Sequence, residues 1–185
     1  MKLFYRKYGE GPPLIILHGL YGSSDNWVSV AKALNTKYTV YLPDLRNHGR
    51  SPHSDIHDYD ALSNDIYELS EELTAAKFFL AGHSMGGKAA LFFAAKWPEK
   101  ILGLLIADIS PFPAPLSGSA EYTRQLEMLN IISGTDLSAI SSRNQAESIL
   151  SEKIRSERIL GLIMKNLKRM PEGKYTWKIN APSLL

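Results

Sequence analysis

Phe78-Phe79-Leu80-Ala81-Gly82-His83-Ser84-Met85-Gly86-Gly87-Lys88 joins an apolar run of strand length to a segment of helical spacing through a Gly-x-Ser-x-Gly turn. Three fixed positions of this kind match by chance in roughly one chain of this length in twenty, so the motif alone decides little. The context decides more. A sharp strand-to-helix turn strains the serine backbone and brings neighbouring backbones close, so the positions two before and two after must be nearly without side chain. Such a turn lifts the Ser84 hydroxyl out of the sheet and sets it at a helix N-terminus. There the unpaired N–H groups and the helix dipole favour an oxyanion, with the Met85 N–H as one donor.

Working outward, three more short apolar runs lie at 14–17, 38–42 and 101–107, each bounded by Gly, Pro, Asn or Asp. They are too short for typical helices and read as strands. Continuous rather than alternating apolarity suits parallel strands covered by helices on both faces. The intervening segments 27–34, 59–73 and 85–97 have helical length or spacing. In the second, Leu62, Ile66, Leu69 and Leu73 form one buried stripe. Residues 2–8 alternate charged and apolar side chains, as in a half-exposed strand near a sheet edge. Together these predict an α/β architecture with a mostly parallel sheet flanked by helices.

After Asp108 the pattern changes. Residues 110–115 are too rich in proline for helix or central strand and read as an extended connection. From about 119 to 170 every periodic segment reads as helical: Tyr122, Leu126, Leu129 and Ile132, then Ile159, Leu160, Ile163 and Leu167. Ser142 with Gln145 fits a capping box. The predicted organisation is a core over 1–116, a helical insertion over 117–175, and a return toward the core over 176–185.

Further polar signals follow the other strands. His18-Gly19-Leu20-Tyr21-Gly22 leaves the run at 14–17, where a loop could aim a second backbone N–H at the same oxyanion. Leu20 is the candidate donor, with Tyr21 if the register differs by one, and His18 itself reads as a buried, hydrogen-bonded turn histidine. Residues 43–51, with Asp44, Arg46, Asn47, His48 and Ser51, suit a rigidly fixed loop beside a site. Asp44, His48 and Ser51 lie too close in sequence to be an independent triad and read as a structural network. Asp108 ends the run at 101–107, where α/β sheets assemble their sites. It reads either as an acid orienting a histidine or as a turn carboxylate.

These residues together resemble the α/β-hydrolase superfamily from about Leu14 to Asp108. More narrowly, Asp44-Leu-Arg-Asn-His-Gly-Arg-Ser51 with Gly82-His-Ser-Met-Gly-Gly-Lys88 resembles the small esterases related to α/β-hydrolase domain protein eleven and their bacterial counterparts. The resemblance implies hydrolysis of carboxylic esters, or of acyl thioesters, through an acyl-enzyme on Ser84 and with no metal or organic cofactor. It also puts the triad acid at Asp108, although superfamily members more often carry it one strand later. The helical insertion would roof the site, with Leu126, Leu129, Ile159 and Ile163 as candidates to line an acyl pocket. Haloalkane dehalogenases and epoxide hydrolases normally need an aspartate where Ser84 stands.

In the superfamily the catalytic histidine follows the acid. The five histidines here are His18, His48, His53, His57 and His83, and none follows His83. His83 adjoins the nucleophile on a strained turn, where neighbours point in different directions, so it is not expected to act as the base. The expectation is a chain that stops before its last core strands and its histidine. The alternative is a non-catalytic fragment that binds a small hydrophobic ligand or partner.

Composition bounds the partners. Apolar residues make up 44% and charged residues 22% of 185, ordinary globular usage and enough for one domain with an insertion. The formal charge is only +2, with 21 Lys and Arg scattered among 19 Asp and Glu, which argues against nucleic acid. There is no cysteine, hence no disulfide or thiolate metal site. No window approaches a membrane span, and charges break the apolar stretch that an N-terminal signal would need. A cytoplasmic home is the default expectation.

Overall fold

The computed structural model describes residues 1–109 and 120–185. The extended connection expected at 110–115, and the boundary expected at 116–117, lie outside the described residues. The chain divides into two compact units, Met1–Pro111 and Phe112–Leu185.

In the first unit, β1 (Tyr5–Tyr8), β2 (Pro13–Leu17), β3 (Thr39–Pro43), β4 (Phe78–His83) and β5 (Ile101–Ala107) form a sheet of order β1-β3-β2-β4-β5. β2 pairs in parallel with β3 and β4, and β4 with β5, while β1 runs antiparallel along β3 at one edge. The helices are α1 (Val28–Leu34), α2 (Tyr59–Glu72) and α3 (Met85–Lys96).

Both faces of the central strand are covered, which is why its sequence is apolar without alternation. On one face Ile15 and Leu17 join Phe78 and Leu80 of β4, Leu62, Ile66 and Leu69 of α2, and Ala89, Ala90 and Phe93 of α3. On the other, Leu14 and Ile16 meet Val40 and Leu42 of β3 with Ala31 of α1. The stripe expected on α2 is thus the one that packs. Asp58 starts that helix by accepting the Ala61 N–H at 2.7 Å, satisfying one of the donors left free at its end. At the far edge β5 departs from the expected double burial: Leu102, Leu104 and Leu105 are exposed.

The second unit holds α4 (Ala120–Ser133), α5 (Arg143–Lys153), α6 (Glu157–Met164) and a two-stranded antiparallel hairpin of β6 (Leu167–Arg169) and β7 (Tyr175–Trp177). The hairpin corrects the helical reading through residue 170. Asn166 closes α6 by donating its N–H to Ile163 O at 2.8 Å, and Gly173, at φ 88°, turns the chain back. The capping box at Ser142 is half formed. Its hydroxyl accepts the Gln145 N–H, but the Gln145 side chain accepts from Ser141 rather than from Ser142. Leu129 and Ile163 are buried and Leu126 and Ile159 half-buried. Among the described residues no helix is long and apolar enough to cross a membrane.

Ile66 is fully buried between α2 and the sheet. Ile66→Ala should lower unfolding stability by about 2–5 kcal/mol, read as a lower urea midpoint at unchanged slope.

Candidate active site

Parallel pairing brings the carboxyl ends of β2, β3, β4 and β5 to one edge of the sheet, and each is followed at once by a residue singled out in the sequence: His18, Asp44, Ser84 and Asp108. This is the edge at which α/β sheets assemble sites.

Ser84 sits between β4 and α3 at φ 51°, ψ −118°, a conformation that costs a non-glycine residue about 1–3 kcal/mol. Close packing holds it there. A side-chain carbon on Gly86 would lie 2.5 Å from His18 O, and one on Gly82 would collide with the Gly86 carbonyl. The Ser84 hydroxyl does not cap α3. As the first helical residue, Met85 has an N–H with no intrahelical acceptor. Across the strand, Ser84 donates its N–H to Ala107 O at 3.0 Å. That bond sets Asp108, the next residue, beside Ser84. Asp108 itself has φ 58°, and its side chain is 83% exposed.

The loop after β2 turns tightly, with the Gly22 N–H donated to Gly19 O at 3.0 Å. Leu20 occupies the second place of this turn, whose own N–H the turn does not use. Tyr21 follows at φ 63°. A carbon on Gly19 would fall 3.2 Å from Ser84 Cβ, so this loop borders the serine.

The loop at 44–51 is a structural network, with no triad in it. Asp44 accepts the Ser24 N–H at 2.6 Å and the Arg50 N–H at 2.8 Å, and its backbone carbonyl accepts the Ser51 hydroxyl at 2.5 Å. Arg46 donates twice to buried Asp65 of α2, at 2.6 and 2.8 Å, and once to Ile56 O at 3.0 Å. The pair is a planar fork on a carboxylate, the geometry in which an arginine bond is strongest.

His18 is buried between two of these loops. Its Nε2 accepts the Leu45 N–H at 2.9 Å, which leaves the proton on Nδ1 to be donated to Gly19 O at 2.9 Å. His48, also buried, donates from Nδ1 to Arg46 O at 2.9 Å, and its Nε2 has no partner among the described residues. The rings of His18, His48 and His57 follow one another at 5.2 and 5.9 Å. Burial lowers the pKa of His18 and pushes His48 well down, with His18 adding to the effect on His48. Burial, then Arg46, lowers His57 to about 4.

One contact was not foreseen: His83 Nε2 lies 3.3 Å from Asp108 Oδ2, with the Trp27 ring edge-on to the imidazole at 6.5 Å. Register gives the reason, since His83 pairs with Ala107 and so neighbours Asp108 diagonally. Among the described residues no group of three or more His, Asp or Glu side chains is placed to hold a metal ion.

A family model described as the alpha/beta hydrolase fold matches residues 12–127. The chain belongs to the α/β-hydrolase family. Within it, the chain is 35% identical over 179 residues to an sn-1-specific diacylglycerol lipase of Danio rerio, covering 95% of this chain and 56% of the relative. To an esterase of Escherichia coli K12 it is 31% identical, covering 93% and 63%. Among solved structures, a marine microorganism esterase superposes with a TM-score of 0.95 at 41% identity, covering 99% of this chain and 70% of that one. This α/β-hydrolase chain thus spans a little over half the length of the diacylglycerol lipase.

The three shifted histidines set the sign of an acid response. Each stays neutral in the fold, while the unfolded chain takes up protons as pH falls below about 6.5, so the unfolded state binds more protons in that range. Stability is expected to decline from pH 6.5 toward 4. Urea midpoints at pH 7.5, 6 and 5 check this, and a midpoint that holds level across the three would contradict it.

Proposed function

We propose that the chain carries the nucleophile, oxyanion donors and acid of a serine hydrolase acting on carboxylic esters, with acyl thioesters as a second substrate class, and with the cytoplasm as its setting. The observation that carries this reading is the strained Ser84, its hydroxyl unused as a helix cap and its backbone bonded to Ala107 next to Asp108. The similarity to an esterase and to a diacylglycerol lipase supports the substrate class.

In the proposed cycle Ser84 Oγ attacks the acyl carbonyl while a histidine takes its proton. The Leu20 and Met85 N–H groups hold the oxyanion as it forms. Collapse expels the alcohol, which receives the proton from that histidine, and leaves an acyl-enzyme. Water then repeats the sequence to release the carboxylic acid. Asp108 orients the imidazole and stabilises its charged form. The histidine is proposed to come from outside these 185 residues, because no imidazole among the described residues is hydrogen-bonded to Ser84: His18 and His48 are buried and neutral, and the nitrogen that His83 keeps free of Asp108 faces the Gly19 loop. Residues 117–175 are proposed as a helical cap that sets acyl-chain preference, and 176–185 as the return toward the core.

The alternative is a non-catalytic ligand-binding member, favoured by the absence of an imidazole hydrogen-bonded to Ser84 among the described residues. A fluorophosphonate probe separates the two. Labelling should vanish in Ser84→Ala, and hydrolysis of p-nitrophenyl esters by the chain extended to include the histidine should fall by more than about 10³-fold in that variant. Failure of wild-type and extended chains to label would favour the non-catalytic reading.

A further inference from the structure

His83 has no step in the cycle just proposed, yet its imidazole stands where three parts of the site meet. Nε2 lies 3.3 Å from Asp108 Oδ2, and since a carboxylate only accepts, Nε2 is the donor. On the other side, a carbon built on Gly19 would fall 2.7 Å from His83 Nδ1 and 3.2 Å from Ser84 Cβ. The imidazole therefore rests against the loop that carries Leu20. The Trp27 ring, edge-on at 64°, closes a third side. Trp27 ends the short turn Ser24–Trp27, which is tied to the neighbouring loop through the Ser24 N–H on Asp44.

Asp108 needs such a neighbour. Its side chain is 83% exposed, and among the described residues His83 is the one side chain hydrogen-bonded to its carboxylate. The Ser84 N–H on Ala107 O fixes where the Asp108 backbone stands but not the direction of its carboxyl group. An exposed aspartate is otherwise free to change rotamer, and each wrong rotamer turns the acid away from the base it must orient.

We propose that His83, seated against the Gly19 loop, is a positioning residue that holds the Asp108 carboxylate through Oδ2, leaving Oδ1 to receive the catalytic imidazole. The proposal rests on the reading of Ser84 as nucleophile and Asp108 as its acid. It differs from a role as base, because Nδ1, the nitrogen left to accept a proton, faces the Gly19 loop and makes no hydrogen bond to Ser84. It differs from a stabilising role too: the pair is 41% and 83% exposed, and exposed pairs contribute little to folding.

The test uses the full-length enzyme with His83→Leu, which fills the space without a donor, and His83→Gln, which restores an N–H donor. With p-nitrophenyl butyrate, His83→Leu should lower kcat by about 10-fold and leave KM within about 2-fold, because orientation of the acid matters to the reaction rather than to binding. His83→Gln should recover kcat to within about 3-fold of wild type, and both variants should melt with wild type. Asp108→Asn should shift the His83 ring Nε2 resonance in long-range ¹H–¹⁵N spectra, a readout that needs no turnover. A wild-type kcat in His83→Leu, equal losses in both variants, or an Nε2 resonance indifferent to Asp108→Asn would overturn the proposal. Activity surviving in Ser84→Ala would instead remove the nucleophile assignment on which it rests.

Discussion

The approach of α3 to the end of β2 is the constraint from which the site follows. At Gly86 there is room for a hydrogen and nothing more, because the carbonyl of His18 and the side chain of Leu17 already occupy the place of a side chain. With α3 drawn that close, the chain leaving β4 must reverse within one residue, and Ser84 takes the positive φ that the reversal demands. The strain is carried by the core beneath it. Phe78, Leu80, Ala89, Ala90 and Phe93 belong to one buried cluster, and its burial far exceeds the about 1–3 kcal/mol that the serine backbone costs.

Around that elbow the supporting loops are fixed by buried polar groups bonded to backbone and to one another. Asp44 places one carboxylate oxygen on the Ser24 N–H and the other on the Arg50 N–H, while Arg46 anchors the same loop to α2 through Asp65. Removing Asp65 would leave the Arg46 guanidinium without its partner, a larger loss than the pair contributes as a bridge. His18 acts between them as a neutral spacer. Its tautomer is dictated by the Leu45 N–H, and its own N–H steadies Gly19, so the loop bordering Ser84 is coupled to the strand beside it. Burial lowers the pKa of His18 and so keeps it neutral, the state in which Nε2 can accept from Leu45.

Much of this was legible in the sequence, and the exceptions have physical causes. Short apolar runs located β2 to β5 because strands covered on both faces need no alternation, and residues 101–107 matched β5 end to end. Residues 2–8 were read as an edge strand from their alternation, and β1 lies at the edge. The elbow was legible because its glycines answer to a steric demand that any chain at that turn must meet. The hairpin at 167–177 was missed because Leu160, Ile163 and Leu167 keep helical spacing across the end of α6, and periodicity cannot see where the helix stops. The Pro171 and Gly173 turn was the available signal. The His83 contact with Asp108 was missed for another reason: it depends on strand register, and register is set by partners distant in sequence.

The same register sets a gradient of exposure along the strand ends. Each strand end contributes one group, and the groups grow more exposed from β2 to β5: His18 and Asp44 are buried, Ser84 is half-buried, and Asp108 stands almost free. The buried members serve as supports: both carboxylate oxygens of Asp44 and both ring nitrogens of His18 already bond backbone groups. The exposed members keep theirs: the serine hydroxyl is not a cap, and Asp108 presents a second oxygen beyond the one that faces His83. On the Gly19 side the space beside Ser84 is already filled to within contact distance, so what the exposed groups can still bond does not lie there.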